Sequence, residues 1–290
     1  MGNFLDSFIS LVDRITGGSK VKAAIAALLS VTFVFSSMQL IMALAGYHAA
    51  AAEYGRVAVE AHGDITDNKK LNEILRDSKT VSMDKTISVS MDEAASVSLN
   101  GAVSANAIIN FSELADTNSD IVGWMIIPGT VVDYPIVKSH DNQEYLGLSF
   151  EKNKSKNGTV FMDAANHSDW NDFNTVIYGH NMKDGSMFKT IAKYRDQSFY
   201  KEHPTVTIAK AGGRVSTYNI ISGYTTNTRD IVYTKSFDSI ADYTLFVNAV
   251  KKKSAYNTGI AADVYKRSVV LSTCVGVGGN QRFVLVLQEQ

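Results

Sequence analysis

Thirty consecutive residues, 23–52, contain no Asp, Glu, Lys or Arg, and they include Ala26-Ala-Leu-Leu-Ser-Val-Thr-Phe-Val-Phe35 and Leu40-Ile-Met-Ala-Leu44. A bilayer-spanning helix needs about 20 mostly apolar residues, so this run is long enough to cross with some tilt. Arg14, Lys20 and Lys22 precede it, whereas Glu53 and Glu60 flank Arg56 beyond it. The positive-inside rule then keeps the N-terminus cytoplasmic and sends the rest of the chain outside. A cleaved signal peptide and a buried soluble helix are the rival readings. The length of the run speaks against both, because a signal peptide's apolar core is only about 7 to 15 residues, although the small residues 49–52 leave cleavage open. The sequence therefore predicts a short cytoplasmic segment (1–22), a single transmembrane anchor (23–52), an external stalk or linker (53–109) and a folded domain (110–290).

The linker changes character along its length. Residues 53–79 are polar, with Leu71, Ile74 and Leu75 as an apolar stripe of helical spacing, and residues 80–106 are rich in Ser, Ala, Val and Asn. That composition reads as a spacer. The alternation in Ile87-Ser-Val-Ser90 also fits a strand.

From Asn110 the punctuation is that of a compact domain. Asn110-Phe-Ser-Glu113 has the form of a capping box, residues 121–127 read as a strand, and Pro128-Gly129 turns the chain. Residues 131–137 form a second strand, placed at an edge or kinked because Pro135 has no N–H to give a ladder. Residues 141–146 suggest a helical turn; 158–162 and 174–178 are further strands; 186–194 has helical spacing. Residues 205–209 and 215–224 pair as a hairpin around Ala211-Gly-Gly213, Asp238 caps a helix running to about Lys253, and 268–274 and 282–288 close the chain as strands. About eight short strands at mostly hairpin spacings predict a mainly antiparallel, barrel-like β domain with helices at its edges.

Composition narrows the chemistry. With 28 basic against 29 acidic residues there is no global field to recruit nucleic acid, and a single cysteine excludes both an intrachain disulfide framework and a zinc site built from clustered cysteines. No phosphate-binding glycine loop and no calcium cage is present, so no cofactor is expected.

The one cysteine ends an apolar, β-branched run, Arg267-Ser-Val-Val-Leu-Ser-Thr-Cys274, and Arg282 opens the next strand after a glycine-rich loop. Alone, that stretch fits a buried structural cysteine as well as a displayed nucleophile, since free Cys often behaves as a small hydrophobe. The histidines decide which partners are available. His48 and His62 fall in the anchor and stalk, and His140, His167 and His203 sit in polar, loop-like stretches. His180 differs, because an apolar strand and Gly179 present it as a strand presents Cys274. A thiol and an acid/base group at two strand ends are what acyl transfer requires, and Arg282 adds a permanent charge on a rigid donor fork suited to an oxyanion or bound carbonyl.

Leu271-Ser-Thr-Cys274 with downstream Arg282, and Ile177-Tyr-Gly-His-Asn-Met-Lys-Asp-Gly-Ser-Met-Phe188, resemble the cysteine and histidine signatures of sortases, specifically class B. Val122-Gly-Trp-Met-Ile-Ile-Pro-Gly129, Asp133-Tyr-Pro135, Asp141-Asn142 with Tyr145-Leu146, Phe161-Met-Asp163, Phe199-Tyr200 with His203-Pro204, and the helix from Asp238 to Lys253 agree in the same order. The resemblance implies a closed, antiparallel or mixed sortase-like β-barrel and a membrane-anchored cysteine transpeptidase of a Gram-positive bacterium. It would cleave a C-terminal sorting signal of surface proteins after threonine through a thioacyl intermediate. The protein would then pass to an amine of the peptidoglycan peptide or its lipid-linked precursor. It further implies Cys274 as nucleophile, His180 as general acid, Arg282 as oxyanion or positioning donor, and Leu146, Ser272 and Thr273 as substrate-binding positions.

Two departures stand out. Val270 replaces the threonine that commonly opens the cysteine signature, and the loop Val275-Gly-Val-Gly-Gly-Asn280 lacks the acidic or polar residues often found there. The resemblance therefore does not extend to that loop's substrate contacts. A pilin lysine as acceptor, a thiol protease or amidase that uses water, and a tethered binding module without catalysis are the alternatives that the sequence leaves open.

Overall fold

The structure is a computed structural model that describes residues 20–62, 109–275 and 279–290, with Ser7, Ser10 and Arg14 besides. The spacer readings for 63–108, including the strand around Ile87, and the middle of the glycine-rich loop lie outside the described residues. The chain divides into two compact units, Met1–Ala49 and Ala50–Gln290.

Helix α1 (Lys20–His62) carries the apolar run and continues past it. In the first unit its large apolar side chains, among them Leu28, Phe33, Val34, Phe35, Ile41 and Leu44, are exposed all round. Such a surface suits lipid better than water, and α1 is long and apolar enough to cross a membrane. In the second unit the same helix becomes one-sided. Ala50, Glu53, Tyr54, Val57, Ala61 and His62 are buried at helical spacing and pack on the folded domain. Residues 53–62, expected to begin the stalk, thus belong to the compact unit. Small alanines at 58 and 61 hide that stripe from hydropathy, because they pack closely without marking an apolar period.

The domain is a closed barrel of eight strands in the order β1-β2-β3-β4-β7-β8-β6-β5. These are β1 (Ile121–Ile126), β2 (Asp133–Val137), β3 (Val160–Met162), β4 (Asn174–Tyr178), β5 (Thr205–Lys210), β6 (Val215–Asn227), β7 (Ser268–Cys274) and β8 (Gln281–Glu289). Neighbours pair antiparallel except β2 with β3 and β4 with β7, which run parallel. The expected mixed, closed barrel is therefore observed. β2 is not an edge strand, since it pairs with both β1 and β3; Pro135 is accommodated because pairing with β3 begins only at Ile136.

Helix α2 (Phe111–Thr117) is capped by the Asn110 side chain, while the Asn110 N–H goes to Ala61 O at 2.8 Å and not to Glu113. Asn110 Oδ1 accepts from Glu113 N at 3.3 Å, and Asn110 Nδ2 donates to Glu113 Oε2 at 2.7 Å. Between β4 and β5 lie α3 (Lys189–Lys193) and α4 (Gln197–Glu202), the latter capped by Asp196 and not foreseen from the sequence. The first is shorter than its apolar spacing suggested, because Met187 takes φ +53 and bridges to Asn181, which commits residues 186 and 187 to a loop. Helix α5 (Ile240–Lys252) covers one face of the barrel. Its N-cap is Ser239 and not Asp238: Ser239 Oγ accepts from Asp242 N at 3.1 Å and donates to Asp242 Oδ2 at 2.7 Å.

The long apolar runs of β7 and β8 follow from burial on both faces. Val269, Leu271, Phe283, Leu285 and Leu287 join the large cluster that fills the barrel, whereas Val270, Val284 and Val286 join a second cluster with Tyr243, Phe246, Val247 and Val250 of α5. Successive side chains on a strand point to opposite faces, so both sets must be apolar. Burying each such side chain contributes about 1.5–3 kcal/mol.

The cap assignment has a direct test. Ser239→Ala is expected to lower unfolding stability by about 1 kcal/mol, and Asp238→Ala to change it by less than about 0.5 kcal/mol. Urea titration followed by the fluorescence of Trp124 and Trp170 measures both.

Candidate active site

Period-two alternation places Cys274 on the same face of β7 as Val270 and Ser272, the face that looks away from the barrel interior. Cover on that face ends one step before it. Tyr233, in the 310 turn Ile231–Tyr233, hydrogen-bonds Ser272 Oγ through its hydroxyl at 2.9 Å, and Cys274 beyond is exposed. Arg282 is its register partner on β8.

His180 reaches the same place from the other neighbour of β7. Strands β4 and β7 are parallel with Tyr178 opposite Ser272, so both C-terminal ends emerge side by side. The contact continues past the strand: Gly179 N donates to Ser272 O at 3.2 Å, Thr273 Oγ1 donates to Gly179 O at 2.8 Å, and Asn181 Nδ2 donates to Cys274 O at 2.8 Å. Gly179 is required for steric reasons, since a Cβ there would lie 2.6–2.9 Å from ring atoms of Phe188.

His180 Nε2 lies 2.9 Å from Leu146 O. A carbonyl only accepts, so Nε2 carries a hydrogen and the ring is held with Nδ1 as the nitrogen free to exchange a proton. Among the described residues Nδ1 has no partner. The Leu146 carbonyl thus orients the imidazole of His180, a contact no side-chain motif reports.

These residues line one cleft of about 480 Å³ together with Asn142, Gln143, Phe161, Thr228 and Lys235. All six positions singled out from the sequence, Cys274, His180, Arg282, Leu146, Ser272 and Thr273, meet there. They are not equally available. The Leu146 side chain is partly exposed, but Ser272 and Thr273 are buried, with hydroxyls engaged by Tyr233 and Gly179.

No carboxylate lines the cleft among the described residues. Lys235 pairs with the buried carboxylate of Asp163 at 3.1 Å, and Tyr178 donates to the same carboxylate at 2.8 Å. Burial, with Asp163 beside it, pushes the Tyr178 phenol well above its usual range; burial also raises Tyr233. Both rings stay neutral and stack on each other at 6.3 Å. Arg282 Nη1 donates to Gly279 O and Gln281 O, which fixes the guanidinium, while Nε and Nη2 have no acceptor among the described residues. The cleft therefore offers an exposed thiol, an oriented imidazole and a cation with open donors, an arrangement able to stabilise negative charge as it develops on a carbonyl oxygen.

Tyr178, Tyr233, Lys235, Asp163 and Asn181 were not identified from the sequence as site residues. Tyr178, Asp163 and Asn181 lie inside stretches that drew attention for other members. Tyr233 and Lys235 lie in the connection between β6 and α5, where only the apolar Ile231-Val-Tyr233 offered a signal.

Three of the other histidines are engaged elsewhere. His62 Nε2 bonds the Asp133 carboxylate at 3.1 Å, His167 Nδ1 lies 2.8 Å from Asp172 Oδ1, and His203 Nδ1 lies 2.9 Å from Pro128 O. His140 is exposed.

A profile of the sortase domain matches residues 125–290. Sortase B of Staphylococcus aureus is 35% identical over 164 residues, which span 57% of this chain and 67% of that protein. Sortase B of Listeria monocytogenes is 37% identical over 162 residues, 56% of this chain and 65% of that protein. Among solved structures, a Staphylococcus aureus sortase B–substrate complex superposes with TM-score 0.59 at 33% identity, covering 62% of this chain and 84% of that one. Together with the closed barrel and the cysteine-bearing cleft, these matches identify the chain as a member of the sortase family of cysteine transpeptidases, of class B.

Proposed function

We propose that this sortase is anchored by the apolar part of α1 at the outer face of a Gram-positive cell membrane. There it would cleave a C-terminal sorting signal of surface proteins after threonine and transfer the protein to an amine of the peptidoglycan peptide or its lipid-linked precursor. The observation that carries this reading is the convergence of Cys274, His180 and Arg282 from three adjacent strands into one cleft.

The chemistry follows from the groups. The Cys274 thiol passes its proton to Nδ1 of His180 as Sγ attacks the threonine carbonyl carbon, and negative charge grows on the carbonyl oxygen, where Arg282 and neighbouring backbone N–H groups stabilise it. His180, its Nε2–H held by the Leu146 carbonyl, gives a proton from Nδ1 to the departing nitrogen as the C–N bond breaks. A thioacyl enzyme results. An incoming amine then attacks that carbonyl, the C–S bond breaks, and the proton lost by the amine returns to His180. Leu146 supplies apolar surface for the signal; Ser272 and Thr273 contribute by holding Tyr233 and Gly179, and hence the shape of the groove. The open cleft suits an extended peptide, and α1 would hold it near the membrane where sorting signals and lipid-linked precursors meet.

Incubating the full-length chain in detergent with a panel of sorting-signal peptides, with and without amines, tests the reaction. Aminolysis product and a thioacyl adduct are expected, and both should vanish in Cys274→Ala. A pilin lysine that outcompetes cell-wall amines would move the acceptor assignment, and cleavage indifferent to every amine would refute transfer in favour of hydrolysis. Arg282→Lys should lower kcat on the order of 100-fold, because an ammonium lacks the planar fork that meets an oxyanion while holding Gly279 and Gln281; turnover near wild type would overturn that role. The anchor predicts that the protein stays in the membrane fraction after a high-salt wash, as bilayer burial is insensitive to screening.

A further inference from the structure

Hydrogen bonds and close backbone packing together link α1 to the imidazole of His180. Tyr54 is 7% exposed, with its ring edge-on to Tyr134 at a centroid distance of 5.4 Å. Its hydroxyl donates to Gly158 O and lies 3.3 Å from Thr159 Oγ1. Thr159 in turn is clamped to the segment that carries Leu146: its N–H donates to Tyr145 O at 2.9 Å and its hydroxyl to Leu148 O at 2.8 Å.

Gly158 is where that clamp touches the site. It adopts φ +59, and a Cβ there would lie 2.5 Å from Tyr145 O, 2.9 Å from His180 Cδ2 and 3.1 Å from Leu146 O. The Gly158 backbone is therefore packed against both the imidazole and the carbonyls beside it, one of which holds Nε2. A shift of the Gly158 backbone toward the site therefore presses on the ring or on the carbonyl that aims it.

We propose that Tyr54 is a positioning residue for His180, acting through Gly158 and the Tyr145–Leu146 backbone. This rests on the acid/base assignment of His180 made above. Tyr54 touches no reacting atom. Its hydroxyl supplies the donor for the Gly158 carbonyl, and without it that buried carbonyl lacks a partner and the strip joining Gly158 to Leu146 loses one of its fixed points. The helix that carries the apolar run thus contributes a residue to the precision of the site.

The test compares Tyr54→Phe with Val57→Ala in the full-length chain. Val57 is fully buried on the same helix face, so its truncation loosens packing without removing the Gly158 donor. Tyr54→Phe is expected to lower kcat about three- to tenfold with KM unchanged, and to displace the limb of the pH–rate profile that His180 governs. Val57→Ala should lower the melting temperature at least as much while leaving kcat and the pH limb near wild type. Equal loss of kcat in both variants, or a Tyr54→Phe enzyme with unaltered kcat and pH profile, overturns the relay and makes Tyr54 a packing residue. His180→Ala in the same assay separates the two levels: if it stays active, the acid/base assignment falls and the relay with it; if it is inactive while Tyr54→Phe is unaffected, only the relay falls.

Discussion

The parallel pairing of β4 with β7 is the constraint on which the rest of the site depends. Parallel neighbours end at the same mouth of the barrel, so the residues that follow Tyr178 and Ser272 emerge together. An antiparallel pairing of the same two strands would leave His180 and Cys274 at opposite ends. A parallel neighbour requires a long crossover, and residues 179–267 supply it. That connection contains β5, β6 and α5, and α5 then buries the outer faces of β7 and β8. One topological choice thus explains both the meeting of the chemical groups and the two-sided apolarity of the strands that carry them.

Around that meeting point the protein uses neutral or already paired groups as supports. Burial moves ionisation of Tyr178 and Tyr233 still further out of reach, and Lys235 is matched by Asp163. Arg282 is left as the cation whose remaining donors face no carboxylate among the described residues. A buried, satisfied network of this kind holds geometry without adding competing charge at the cleft, which is what preorganised stabilisation of an oxyanion needs.

Much of this was legible in the sequence, and the reason is locality. Strands β4 and β7 were bounded as observed because each is a contiguous apolar run closed by polar or glycine punctuation. Cys274, His180 and Arg282 stood out because strand ends present them within short motifs. The cap of α5 was misplaced by one residue, since Asp238 and Ser239 are both good caps and only backbone direction chooses between them. The amphipathic stretch of α1 was missed because its buried face is built from Ala, Glu, Tyr and Val, a pattern that helical periodicity detects poorly.

The amino-acid order alone shows that thirty uncharged residues precede a β-rich domain, which strands are apolar on both faces, and which thiol, imidazole and guanidinium stand at strand ends. Only the tertiary structure decided that the Leu146 carbonyl holds Nε2 of His180, that Ser272 and Thr273 spend their hydroxyls on internal bonds, and that Tyr54 reaches Gly158. The physical reason is common to all three. Every residue has a carbonyl, and a hydroxyl can serve many partners, so the identity of a residue does not say which bond it makes; that depends on segments far apart in sequence arriving at the same point.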